Sequence, residues 1–173
     1  MRVETVESLP LQDPAKWKAI EDAAISRALR SFFTAIESAD SLFAGEMLGS
    51  VVSGRMGGEG VTCAGDFSLR FRESKLADNR AIHFSLLEKL SELLKQAGSA
   101  DSLLASLSLS GKAGSQSKTG ALALQVRLEA TGNSSEQAAL RWGLGLAHVQ
   151  QAVLFTSRYL RQQLLQKGDG SSL

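Results

Sequence analysis

Apolar and polar residues alternate with a period of two along several stretches of this chain and recur with a period near 3.6 along others. Leu122, Leu124, Val126, Leu128 and Ala130 fall on one face of a strand. Leu140, Trp142, Leu144 and Leu146 fall on one face of what reads as the next strand, with Thr131 to Gln137 as the connecting loop. The pair predicts an antiparallel hairpin with one buried face. Val61, Cys63, Gly65, Phe67, Leu69 and Phe71 alternate with Thr62, Asp66, Ser68, Arg70 and Arg72, which predicts a strand over 61–72. Leu103, Ala105, Leu107 and Leu109, interleaved with serines, suggest another, although the leading residues also suit the end of a helix.

Elsewhere the helical period dominates. Trp17, Ile20, Ala24, Ala28, Phe32 and Ile36 predict an amphipathic helix over 14–37, opening at Asp13-Pro14. Asp40 then caps a shorter helix carrying Leu42, Phe43, Met47 and Leu48, which fades into a glycine-rich loop over 49–60. Ile82, Leu86, Leu90, Leu93 and Ala97 predict a helix over 79–97, closed by Gly98. A polar loop over 110–120 follows, and a last helix runs from Val149 through Val153, Leu160 and Leu164 to Lys167-Gly168. The order is α-α-β-α-β-β-β-α. The expected class is α+β, an antiparallel sheet of about four strands packed on amphipathic helices. Residues 1–12 read as a flexible arm, 13–168 as a single domain and 169–173 as a frayed tail. Ser38-Ala39-Asp40-Ser41-Leu42 recurs as Ser99-Ala100-Asp101-Ser102-Leu103. The flanks match poorly, so coincidence in a chain rich in Ser, Ala and Leu explains it better than duplication.

Charge narrows the partners. Nineteen basic residues oppose eighteen acidic ones. A nucleic acid or a membrane surface selects a basic surplus, so both are disfavoured, and little net repulsion opposes self-association. The lone cysteine, Cys63, excludes an intramolecular disulfide and fits a reducing compartment. Residues 1–14 carry Glu4 and Glu7 without the apolar stretch of a secretion signal, and no apolar run approaches bilayer length. A cytoplasmic chain of bacterial type with no membrane span is expected, which makes the Asn133-Ser134-Ser135 sequon accidental.

Candidate chemistry is sparse. His83, His148 and Cys63 are the available nitrogen and sulfur ligands, and each stands alone in the sequence. No serine sits in a G-x-S-x-G turn, and Cys63 falls on an apolar strand face, where a thiol is inert packing. The segment Gly111 to Thr119 fails the phosphate-loop pattern, because Ser117 precedes Lys118 and a strand rather than a helix follows. No metal, cofactor or catalytic residue is therefore expected, and the chain reads as a non-enzyme.

Two surfaces remain as binding candidates. Arg70, Arg72, Arg127 and Arg141 all fall opposite the apolar faces of their expected strands. They form either an arginine stripe for an acidic or phosphate-bearing partner, or a solvated face partly neutralised by Asp66 and Glu129. Few aromatics lie among them, against a single-stranded nucleic acid. Gly143 and Gly145, with Ala139 and Ala147, make the outer side of the last expected strand smooth, as a docking face would be. Phe32, Phe33, Leu42, Phe43, Met47 and Leu48, and later Leu154, Phe155 and Tyr159, exceed what one sheet face needs, so a partner chain can supply a second covering layer.

Arg27 to Glu37, with Asp40 and Leu42-Phe43 to Leu48, resembles the opening two helices of NTF2-like cone proteins, over residues 27–48 only. The resemblance implies a curved sheet around a pocket for a small apolar molecule, bound or acted upon, with Asp66, His83 or His148 pointing inward. It carries over no functional residue, and this chain departs from it by ending in a helix. The leading expectation is a non-enzymatic protein-interaction or assembly subunit, self-associating or part of a larger complex. It would act through exposed apolar helix surface and the outer sheet face. The cone is the alternative, and an anion or nucleic-acid binder using the arginines is the weaker one. The docking face depends on residues 121–147 being extended and on the outer sheet side lying bare.

Overall fold

The computed structural model describes residues 2–5, 18–19, 22–39, 41–55, 60–96, 103–111 and 122–168. Within them the expected α+β class is observed, with an antiparallel sheet packed on helices. The strands are β1 (Arg2–Thr5), β2 (Lys18–Ala19), β3 (Phe43–Met47), β4 (Val52–Arg55), β5 (Val61–Phe71), β6 (Leu103–Gly111) and β7 (Leu122–Gly132). The helices are α1 (Ala23–Ile36), α2 (Ser74–Ala77), α3 (Arg80–Gln96) and α4 (Ser135–Gly168). The strand order is β1-β6-β7-β5-β4-β2. Strands β3 and β4 follow one another along the same edge of β5, β4 against its first half and β3 against its second. Among the described strands only β1 pairs in parallel, on β6.

All the long helices lie on one face of the sheet. Helix α4 packs across β5 and β7, with α1 and α3 both against it. Because α1 reaches β3 at one edge while α3 reaches β1 and β6 at the other, the two flank α4 on opposite sides. The core lies between these layers. Cys63, Phe67 and Leu69 of β5 and Leu124, Val126 and Leu128 of β7 meet Trp142, Leu146, Val149 and Val153 of α4. Each fully buried Leu, Val or Phe contributes about 1.5–3 kcal/mol of transfer free energy.

The structure corrects the expected hairpin. Leu122–Gly132 is a strand, as its alternation predicts, but Leu140 to Leu146 is helical and belongs to α4. A spacing of two places residues on opposite sides of a helix only approximately, so four alternating apolar residues fit either form. Here Trp142 and Leu146 point to the core, followed by Val149 and Val153, whereas Leu140 and Leu144 point to solvent. Two local signals favour the helix. Residues 135–148 contain no β-branched side chain. Ser134 and Gln137 form a capping pair: the Gln137 N–H donates to Ser134 Oγ (3.2 Å), and the Asn133 N–H donates to Gln137 Oε1 (2.7 Å).

The expected short helix after Asp40 is strand β3 instead. Five residues are too few to separate the periods, and Phe43, Gly45 and Met47 face the core as alternating strand residues. Pairing along the edge of β5 decides the outcome, a tertiary effect that local propensity does not contain. The glycine-rich loop likewise contains β4. Helix α1 begins later than expected, capped by Asp22, whose Oδ1 accepts from the N–H groups of Ala24 (2.6 Å) and Ile25 (3.1 Å). Asp13-Pro14, Gly98, the loop over 112–120 and the second copy of the Ser-Ala-Asp-Ser repeat lie outside the described residues. The expected strands over 61–72 and 103–109 and the helix over 79–97 are found as β5, β6 and α3.

Candidate functional site

Opposite the helices the sheet carries a polar face, built by strand alternation. Cross-strand register aligns Asp66, Arg127 and Ser106 in one row and Ser68, Gln125 and Ser108 in the next, with Glu129 one step along β7 from Arg127 on the same face. The Arg127 side chain is only 5% exposed. Its Nε donates to Glu129 Oε1 (2.6 Å) and its Nη1 to Asp66 Oδ2 (3.2 Å). One guanidinium thus lies between two carboxylates, which a buried cation needs. Ser108 Oγ is buried and has no hydrogen-bond partner among the described residues.

Burial pushes the Asp66 carboxyl above its ordinary range, with Arg127 opposing the shift and Glu129 adding to it. The native state therefore holds this proton to higher pH than the unfolded chain does. Between the ordinary and the raised value, folding stability falls as pH rises. Measured as the difference between the wild type and Asp66→Asn across the acidic range, the wild type should lose ground as pH increases. The opposite slope would mean that the ion pair with Arg127 outweighs desolvation.

The four arginines do not form a common free stripe. Arg127 is enclosed as above, and Arg70 on the same face is ion-paired with Glu46 of β3. Arg72, just past β5, donates to the carbonyls of Phe43 (2.8 Å) and Ile36 (3.0 Å), tying β3 to the C-terminus of α1. Arg141 belongs to α4, not to a strand, and donates to the Thr131 carbonyl (2.5 Å). Each guanidinium is occupied within the chain.

Asp66, His83 and His148 do not converge. Asp66 lies on the polar sheet face, His83 is buried in α3 and His148 lies in α4. His83 Nδ1 sits 2.9 Å from the Asn79 carbonyl and Nε2 sits 3.3 Å from the Leu122 carbonyl, with the ring edge-on to Phe71. The imidazole thus links α3 to β7. Cys63 is fully buried, as its strand position predicts, and burial with Asp22 nearby pushes its thiol up to about 12. At neutral pH it is a packing residue.

Gly143 and Gly145 are not on an outer sheet face. Both lie inside α4 and serve different contacts. A Cβ built at Gly145 would stand 2.7 Å from Leu103 Cδ1 and 3.2 Å from Leu128 Cδ1, so hydrogen alone allows the helix to settle on β6 and β7. At Gly143 the nearest atom is Ala28 Cβ of α1 at 3.6 Å, an ordinary contact. Gly143→Ala should therefore gain up to about 1 kcal/mol from helix propensity. Gly145→Ala should lose about 1–3 kcal/mol through overpacking. Urea denaturation of the two variants checks this divergence.

Of the apolar surplus, Phe32, Leu42 and Phe43 are buried in the core, Leu48 and, on α3, Phe84 are exposed singly, and the aligned exposed set lies on α4. Leu140 (61% exposed), Leu144 (56%) and Phe155 (51%) line its solvent side, with Ala147 also exposed between them. As strand residues Leu140 and Leu144 would face inward; the capping pair at Ser134 and Gln137 signals a helix instead, and the sheet beneath it, which takes Trp142 and Leu146, leaves Leu140 and Leu144 outside. Beside this ladder a cleft of about 450 Å³ separates α3 from the end of α4, lined by Leu76, Ile82, Tyr159 and Leu160. Among the described residues no cluster of three or more His, Cys, Asp or Glu could hold a metal ion, and no helix is long and apolar enough to cross a membrane. No family model, curated protein or solved structure matches the chain.

Proposed function

We propose that this protein is a non-enzymatic interaction subunit that docks on another protein surface through the solvent side of α4. The reading rests on one observation: Leu140, Leu144 and Phe155 stand more than half exposed along one side of a 34-residue helix. Scattered exposed leucines are ordinary, but a ladder on a single helix face is the pattern of a helix that packs on both sides. The helix is anchored from beneath by Trp142, Leu146, Val149 and Val153, so the ladder is presented on a rigid support. This replaces the smooth sheet face as the docking surface, because the paired glycines now serve internal packing.

A photo-reactive amino acid placed at Leu144 and, as a control, at the exposed Glu88 of α3 tests the reading in living cells. A discrete protein adduct is expected from position 144 and not from position 88. No adduct at 144, or the same adducts at both, would overturn it.

A further inference from the structure

On the solvent side of α4 the exposed ladder from Glu136 to Arg158 is self-complementary about Ala147. Glu136, Leu140, Leu144, Ala147, Gln151, Phe155 and Arg158 follow one another at steps of three and four residues, and all are exposed. Ala147 is the central member. Glu136 and Arg158 lie equally far from it, about three helical turns to either side. Neither forms an ion pair within the described residues. Leu140 and Phe155 occupy matching places closer in, and Leu144 and Gln151 closer still.

We infer that a second copy of this chain covers the ladder, with the two α4 helices crossing antiparallel at Ala147. The inference rests on the docking reading above and names its occupant. Two-fold symmetry then sets Leu140 of each copy against Phe155 of the other and the Glu136 carboxylate near the opposing Arg158 guanidinium. The small Ala147 side chain lets the two helix backbones approach at the crossing. A parallel pairing would instead oppose Glu136 to Glu136 and Arg158 to Arg158. The helix pair alone forms a small interface, so the expected affinity is micromolar rather than nanomolar.

Sedimentation of the full chain at micromolar concentration should show a reversible monomer–dimer equilibrium. Oxidation of Ala147→Cys should link two copies through the new thiol, against an unreactive background because Cys63 is buried. Leu140→Cys alone should not link to itself, whereas its mixture with Phe155→Cys should. Glu136→Arg and Arg158→Glu should each weaken the dimer about tenfold, since symmetry repeats the contact, and mixing the two variants should restore it. A wild type that stays monomeric, or a Leu140→Cys dimer formed in place of the Ala147→Cys one, overturns the inference. If the wild type is monomeric while position 144 still yields an adduct with a different protein, the second copy is refuted and the docking reading stands. A monomer with no adduct removes both.

Discussion

Arg127→Met should lower the folding stability by about 3–5 kcal/mol, the range for breaking a buried ion pair from one side. The side chain is 5% exposed and holds both Asp66 and Glu129. Removing it takes the positive charge from between two carboxylates on neighbouring strands while their burial persists. The Asp66 carboxyl must then be hydrated, protonated or moved, and, already raised by burial, it should rise further. Urea denaturation checks the magnitude, and NMR titration of Asp66 checks the direction. A control separates charge from shape. The triple variant Arg127→Met, Asp66→Asn, Glu129→Gln removes all three charges and should recover much of the loss, because neutral groups carry a smaller desolvation cost. If the triple variant is as unstable as Arg127→Met, packing of the arginine stem is the main contribution.

Trp142→Ala should cost about 3–5 kcal/mol. The indole is fully buried at the centre of the contact between α4 and the sheet, and its N–H donates to the Leu128 carbonyl (2.9 Å). It lies directly over Gly65, where a built Cβ would stand 2.7 Å from the ring carbon Cζ2. The glycine in β5 is thus the socket for the tryptophan in α4. The two positions should be coupled: Gly65→Ala should destabilise the wild type and do less harm beside Trp142→Ala, as a double-mutant cycle in urea would show. Trp142→Phe keeps an aromatic ring but removes part of the buried volume together with the donor to the Leu128 carbonyl. It should cost about 1–3 kcal/mol. Equal stability for the wild type and the alanine variant would contradict the packing described here.

Strands β5, β6 and β7 and helices α1 and α3 were legible because each repeats its period over many residues and each gathers its apolar side chains on one face. Cys63 on an apolar strand face predicted a buried thiol for the same reason. The segment 140–146 was not legible by period. Alternation over four apolar positions satisfies both a strand and a two-sided helix, and only the sheet beneath shows that Trp142 and Leu146 face inward while Leu140 and Leu144 do not. The arginines repeat the lesson at the level of the site. Alternation correctly set Arg70 and Arg127 on the face opposite the core, with Asp66 and Glu129 there to neutralise them, but it carries no information about Glu46 across the β3–β5 pair.

By itself the sequence determined the α+β class, the polar and apolar sides of β5 and β7 and the burial of Cys63, because these follow from local period and side-chain character. Tertiary structure alone decided that Phe43–Met47 extends along β5, that Gly143 and Gly145 face different neighbours, that Arg127 is enclosed by carboxylates, and that Leu140 and Leu144 look outward. Each of these depends on which surface lies opposite a residue. That surface belongs to segments distant along the chain, which a local pattern cannot specify.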